Sequence, residues 1–176
     1  MFRAKGCHFC VALKRYLSDG FFNNLIVALI KQFLFGDEFL NRRKEREKAF
    51  LFLFENSFNN YSLDEIIEAK NHDEKEKFEQ PGEFAKRLFL GVKENEEKID
   101  GLINKNSIGW QKSRISKIAL AILRLATYEI MFCEDIPDSV SINEAVELAK
   151  KYGMSEESAF INGILGSICK DKNKDE

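Results

Sequence analysis

An all-helical fold is what this sequence predicts, and three observations carry the prediction. Proline and glycine are scarce, two and ten in 176 residues, which is poor material for a turn-rich β-sandwich or barrel. Charged and long aliphatic side chains dominate, with 32% of residues charged. From residue 41 onward apolar positions recur at helical spacing, punctuated by helix-capping patterns. At 44% hydrophobic residues the chain can bury one real core.

Residues 1–40 stand apart. They hold seven of the sixteen Phe, two of the four Cys, and five basic against three acidic residues. The run 21–35 is apolar but broken by Asn23, Asn24, Lys31 and Gln32, too short and too polar for a membrane span of about 20 residues. Gly36-Asp37-Glu38 follows where a signal peptide would place small residues for cleavage. Cys7-His8-Phe9-Cys10 has the spacing of half a zinc site. Cys133 and Cys169 are not paired at metal spacing, so a chance pairing is preferred and no metal is expected. After Leu40 the chain reads like a fresh N-terminus, Asn41-Arg42-Arg43-Lys44-Glu45-Arg46-Glu47. Leucine codons can serve as bacterial starts, so this reading takes Leu40 as the initiator and 1–39 as upstream sequence. An intact mass of the native protein that includes 1–39 would overturn it.

The first expected helix of the main domain covers Arg42–Glu55. Its block Ala49–Phe54 fits a helix buried on most sides better than a strand, because helix formers precede it and Glu55 follows. Ser62-Leu63-Asp64-Glu65 reads as a capping box opening a short helix to about Lys70. A charged linker, 71–80, ends at Pro81-Gly82. One helix over Phe84–Lys105 is then expected to bury Phe84, Leu88, Val92, Ile99 and Leu102, with Trp110 filling a gap between helices. Ile115–Phe132 is the most apolar segment, yet Arg124 and Glu129 lie inside it, so it reads as the central helix of a globular core. Ser141-Ile142-Asn143-Glu144 resembles a second capping box. Its helix would run to Tyr152 and close on a left-handed Gly153. Ser155 can cap the last helix, with Glu156 and Glu157 complementing its dipole, and 170–176 reads as a frayed charged tail. The total is about six to seven helices.

The charge is unevenly placed. Residues 42–48 contain five basic and two acidic side chains, whereas 41–176 holds 22 basic and 26 acidic, a net of −4. Arginine forks on the first turns of a helix match phosphate oxygens; a solvated helix end is the plainer alternative. Basic residues there oppose the helix dipole slightly, which hints at another use. Enzymatic readings have less support. The only histidines are His8 and His72, and no nucleotide-binding loop is present. Capping accounts for Glu144 and Glu156, and Cys133-Glu134-Asp135 has no base beside it. No catalytic constellation and no cofactor are expected, and the lack of export features points to a reduced, cytoplasmic protein without a membrane role.

The C-terminal half carries a resemblance. Ala121-Ile122-Leu123-Arg124-Leu125-Ala126-Thr127-Tyr128-Glu129, then Asp135-Ile136-Pro137, Ser141-Ile142-Asn143-Glu144-Ala145-Val146-Glu147-Leu148-Ala149-Lys150, Tyr152-Gly153 and Phe160-Ile161-Asn162-Gly163-Ile164-Leu165 resemble, in order and spacing, the NusB family of bacterial transcription antitermination factors. The basic start from Arg42 to Arg46 is similar to that family's N-terminal arm and first helix. The resemblance covers about 41–170 and leaves 1–40 without a counterpart.

It implies two packed three-helix bundles and an RNA-binding adaptor. Such an adaptor pairs with the small-subunit ribosomal protein NusE and binds the boxA element of nascent RNA. It thereby joins an RNA polymerase antitermination complex on ribosomal RNA operons. By position, Arg42, Arg43, Lys44 and Arg46 would contact RNA. Glu156 and Phe160 fall where the family's RNA face continues; Glu156 would tune affinity downward, and Phe160 can equally anchor the core. Ala119 and Leu120 stand where the family carries a charged pair facing NusE, so that contact would be more apolar here. Members occur as monomers and dimers, which leaves a homodimer open. The alternatives are a protein-only helical adaptor and the NusB-like front of an RNA-modifying system.

Overall fold

The computed structural model describes residues 23–59, 61–72, 78–107, 115–154 and 156–175, with side chains from Asn41 onward. Seven helices are described: α1 (Asn23–Asn59), α2 (Leu63–Asn71), α3 (Glu83–Glu94), α4 (Glu96–Asn106), α5 (Lys117–Phe132), α6 (Asp138–Tyr152) and α7 (Glu157–Asp175). Among the described residues there is no strand, and no helix is long and apolar enough to cross a membrane. The chain divides into two compact units, Met1–Asn41 and Arg42–Glu176. The C-x-x-C motif, Trp110 and Ser155 lie outside the described residues.

Helix α5 is the hub of the second unit. It packs against α3, α4, α6 and α7, and α6 and α7 pack on each other, so α5, α6 and α7 form a three-helix bundle. Its apolar stripe explains the position: Ala119, Ile122, Leu123, Leu125, Ala126 and Ile130 are all buried. Ser116 caps it, its Oγ accepting from the Ala119 amide at 3.0 Å. On the other side, Phe52 of α1 meets Phe89 of α3 edge-to-face with ring centroids 6.4 Å apart. Leu63 and Ile66 of α2 join the same core. Phe50 of α1 turns the opposite way, to Tyr152 of α6 at 5.0 Å, so residues 49–54 are a helix buried on most sides, as expected.

The Ser62 capping box forms as expected. The Glu65 amide donates to Ser62 Oγ at 3.3 Å, and the Ser62 amide donates to Glu65 Oε2 at 2.7 Å. Other local expectations are corrected. The basic run 42–46 is not a first turn, because α1 continues upstream to Asn23; the dipole argument does not apply there. The helix expected over 84–105 breaks at Asn95, whose side-chain amide bonds to the Gly91 carbonyl at 2.9 Å. The break resets the helical phase, so Ile103 enters the core while Leu102 is only half-buried. Helix α6 starts after Pro137 at Asp138, which puts Ser141 inside the helix rather than at its cap.

Gly153 is extended, with φ −94° and ψ −176°, not left-handed. Its requirement is space: a Cβ there would lie 2.7 Å from the Ala149 carbonyl oxygen. The tail is not frayed, since α7 runs to Asp175 and Lys172 Nζ donates to the Ile130 carbonyl at 2.8 Å and to Asp138 at 3.2 Å. One buried group stays unpaired among the described residues, the Thr127 hydroxyl. A buried hydroxyl without a partner loses its hydration uncompensated. Thr127→Val is therefore expected to raise stability by about 1 kcal/mol, read as a higher urea midpoint with an unchanged slope.

Candidate nucleic-acid interface

The basic segment of α1 splits by helical rotation into sides with different fates. Arg42 and Arg46, four residues apart, share one side. Both guanidiniums approach the Phe84 ring of α3, at 5.4 and 5.5 Å from its centroid. Arg42 stays at the surface, and its Nη1 lies 3.5 Å from Asp135. Arg46, expected with the RNA-binding residues, is instead buried at 4% exposure. Its Nε donates to Glu129 Oε1 at 2.6 Å, and its Nη1 lies 3.8 Å from Glu144. Glu129 is itself fully buried, and its second oxygen accepts from Ser141 Oγ at 2.7 Å. This is a correction with a plain cause: residues 49, 50 and 53, one and two turns on, are core, and Arg46 lies on the same stripe. It braces α1 against α5 and α6 instead of facing solvent.

Arg43 and Lys44 remain exposed. Arg43 lies 3.5 Å from Glu144 and 3.6 Å from Glu147 of α6. One turn further, Glu47 accepts from Lys151 at 2.7 Å and from the Tyr152 hydroxyl. Burial pushes the Glu47 carboxyl up, but those hydrogen bonds and the charges of Lys151 and Arg43 outweigh it and hold the group below its usual value. The Glu147 carboxyl is also held low, by the hydrogen bond and charge of Lys150 with Arg43 adding to it. Arg43, Lys150 and Lys151 on this face thus already have carboxylate neighbours from their own chain. Such partly exposed pairs are weak and screened by salt.

The remaining expected residues fall as follows. Glu156 is exposed, in the turn entering α7. Phe160 is half-buried and packs on the core. Ala119, expected at a partner contact, is 1% exposed on the inward side of α5 and presents no surface. Leu120 is half-buried and lines an open depression of about 700 Å³ with Phe58, Lys93, Glu96, Lys117 and Arg124. There Lys117 Nζ sits 3.6 Å above the Phe58 ring, and Arg124 binds Asp100 through two 2.8 Å hydrogen bonds.

Glu144 is held by Arg43 and Arg46, and Cys133 is buried, its thiol pushed up by desolvation and so kept from the reactive thiolate form. Phe84, expected in the buried stripe of its helix, is only half-buried, and with Arg87 and Asp135, to which sequence reasoning gave no binding role, it completes the surface beside Arg42. The only local signal was the three-residue step from Phe84 to Arg87 on one helix.

The NusB family model matches residues 43–170. Among relatives, the chain is 44% identical over 140 residues to the transcription antitermination protein NusB of Clostridium botulinum (strain Loch Maree / Type A3), covering 73% of this chain and 99% of that protein. It is 46% identical over 130 residues to the same-named protein of Clostridium acetobutylicum, covering 73% and 95%. Of solved structures, T. maritima NusB aligns with a TM-score of 0.63 at 40% identity, covering 73% of this chain and 90% of that one. A structure of antitermination factors NusB and NusE in complex with dsRNA aligns with a TM-score of 0.64 at 26% identity, covering 74% and 97%.

Proposed function

The chain belongs to the NusB family, and from that membership we propose that it works as a transcription antitermination factor. It is an adaptor that binds boxA RNA together with ribosomal protein NusE and supports processive transcription of ribosomal RNA operons by RNA polymerase. The observation that carries this reading is the match over nearly the whole second unit, combined with the half-exposed Arg42 and the exposed Arg43 and Lys44 on one segment of α1. A relative of the same fold is solved with NusE and dsRNA, which supports both partners.

The chemistry is binding, not catalysis, and the site of action is the cytoplasm, where nascent RNA is made. Arg42, Arg43 and Lys44 make phosphate contacts that set register and affinity without reading sequence. Arg46 acts behind them, fixing α1 so that the three heads stay in place. Glu156, exposed at the entry to α7, falls by family position where the RNA face continues and moderates its pull on phosphate, and the half-buried Phe160 follows it on that helix. NusE is received at the depression around Leu120, with Lys117 and Phe58 at its rim.

The test is fluorescence anisotropy of a labelled boxA-like RNA titrated with the full chain, with and without NusE, at two salt concentrations. Arg43→Glu with Lys44→Glu is expected to weaken RNA binding by about tenfold or more and to flatten the salt dependence by about 0.7 per lost phosphate contact. NusE is expected to tighten binding of the unaltered protein. No RNA binding by the unaltered protein, with or without NusE, would favour a protein-only adaptor; unchanged affinity in the doubly reversed variant would remove Arg43 and Lys44 from the RNA contact.

A further inference from the structure

Three separate elements converge beside the basic segment of α1. Arg42 comes from α1, Phe84 and Arg87 from α3, and Asp135 from the connection between α5 and α6. The Phe84 ring has the Arg42 and Arg87 guanidiniums at 5.4 and 5.3 Å from its centroid. Both arginines reach the same carboxylate: Arg87 Nη2 donates to the two Asp135 oxygens at 3.3 and 3.1 Å, and Arg42 Nη1 lies 3.5 Å away. All three charged side chains are 40–45% exposed.

We propose that Arg42 and Arg87 form a two-arginine clamp for an RNA phosphodiester, and that Asp135 occupies it in the free protein as an exchangeable stand-in for phosphate. The proposal rests on the RNA-binding reading above and adds a residue to it, Arg87, which lies 45 positions from Arg42 in sequence.

The physical case has three parts. A carboxylate and a phosphodiester are both monoanions that offer two oxygens to a guanidinium fork, so the geometry that accepts one suits the other. The Phe84 ring holds both guanidiniums over a shared surface and lowers the ordering cost of binding, as does the tether on Asp135. The pair is also open to solvent, so exchanging its carboxylate for phosphate breaks no buried contact. That separates it from the Arg46–Glu129 pair, which is sealed in the core. The Asp135 carboxyl is held below its usual value, chiefly by the Arg87 hydrogen bond, and so stays charged and competitive near neutral pH.

The experiment compares the full-length wild type, Asp135→Asn, and Asp135→Asn combined with Arg87→Gln, in anisotropy titrations of a labelled boxA-like RNA at several salt concentrations. Removing Asp135 first prevents the Arg87 change from merely unmasking a free carboxylate. Asp135→Asn is expected to bind RNA about threefold or more tighter than wild type. Adding Arg87→Gln is expected to reverse that gain and to reduce the salt slope by about 0.7, the signature of one phosphate contact on a single strand. Equal affinity and slope for the single and double variants would overturn the clamp. Weaker binding by Asp135→Asn would overturn the stand-in role. Arg43→Glu with Lys44→Glu runs in parallel: if wild type itself shows no RNA binding, the underlying RNA-binding reading fails; if wild type binds and only the Arg87 arm is flat, this proposal alone fails.

Discussion

Arg46→Ala is expected to destabilise the protein by about 3–5 kcal/mol, enough to unfold a large share of a marginally stable domain. The variant leaves the Glu129 carboxylate in the core at 0% exposure, with the Ser141 hydroxyl as its one remaining hydrogen-bond partner among the described residues. Glu144, 7% exposed, loses one of its cations as well. The cost arises from the orphaned charges more than from the pair's own attraction, since an intact buried pair only roughly repays its desolvation. Arg46→Lys should recover little, because a single ammonium cannot replace the fork that reaches Glu129 and Glu144 together. Arg46→Met combined with Glu129→Leu should recover much of the loss, since it removes both charges and keeps volume. Urea unfolding of the four proteins checks this. Loss of RNA affinity by Arg46→Ala with full stability retained would instead make Arg46 a contact residue.

Gly91→Ala is expected to cost about 1–3 kcal/mol, opposite in sign to the gain of about 1 kcal/mol that the change usually brings inside a helix. An added Cβ would lie 2.1 Å from Cζ and the hydroxyl oxygen of Tyr128, so α3 and α5 meet here because Gly91 has no side chain. The Tyr128 ring is not free to swing aside at no cost, as it stacks on Phe132 with centroids 5.4 Å apart. In a Tyr128→Ala background the obstruction is gone and Gly91→Ala should become neutral or stabilising. A thermodynamic cycle over the four proteins decides it, and a stabilising Gly91→Ala in the wild-type background would sink the close-approach argument.

Both sites show how far the sequence could be read. The helices of the second unit were legible wherever the causes are local. Ser62 and Glu65 form their box from four adjacent residues, and the central helix is announced by its own apolar run. Ser141 looked like the same kind of cap because Ser-x-x-Glu is also what a helix interior can spell. Its hydroxyl serves Glu129, twelve residues away. The break at Asn95 escaped because nothing in the Phe84–Lys105 run forbids one continuous helix.

In the candidate site, Arg42, Arg43, Lys44 and Arg46 are chemically alike in the sequence, and a run of basic residues says only that a cation-rich segment exists. A signal for Arg46 was nonetheless present: its helical stripe continues into Ala49, Phe50 and Leu53, and an ionised Glu129 inside the most apolar helix needs a cation. Neither clue names the other residue. Ala119 and Leu120 are neighbours, yet one faces the core and the other a depression, since adjacent positions on a helix point about 100° apart.

What the sequence determined by itself was therefore the helical class, the central helix, the family resemblance and the location of the positive charge, all properties of residues close together in the chain. Only the tertiary structure decided which arginine is buried against Glu129, which pair shares Asp135, and why Gly91 must be glycine. Those depend on the rotation and approach of helices joined through distant parts of the chain, and burial turns the same guanidinium from an exchangeable surface cation into a fixed part of the core.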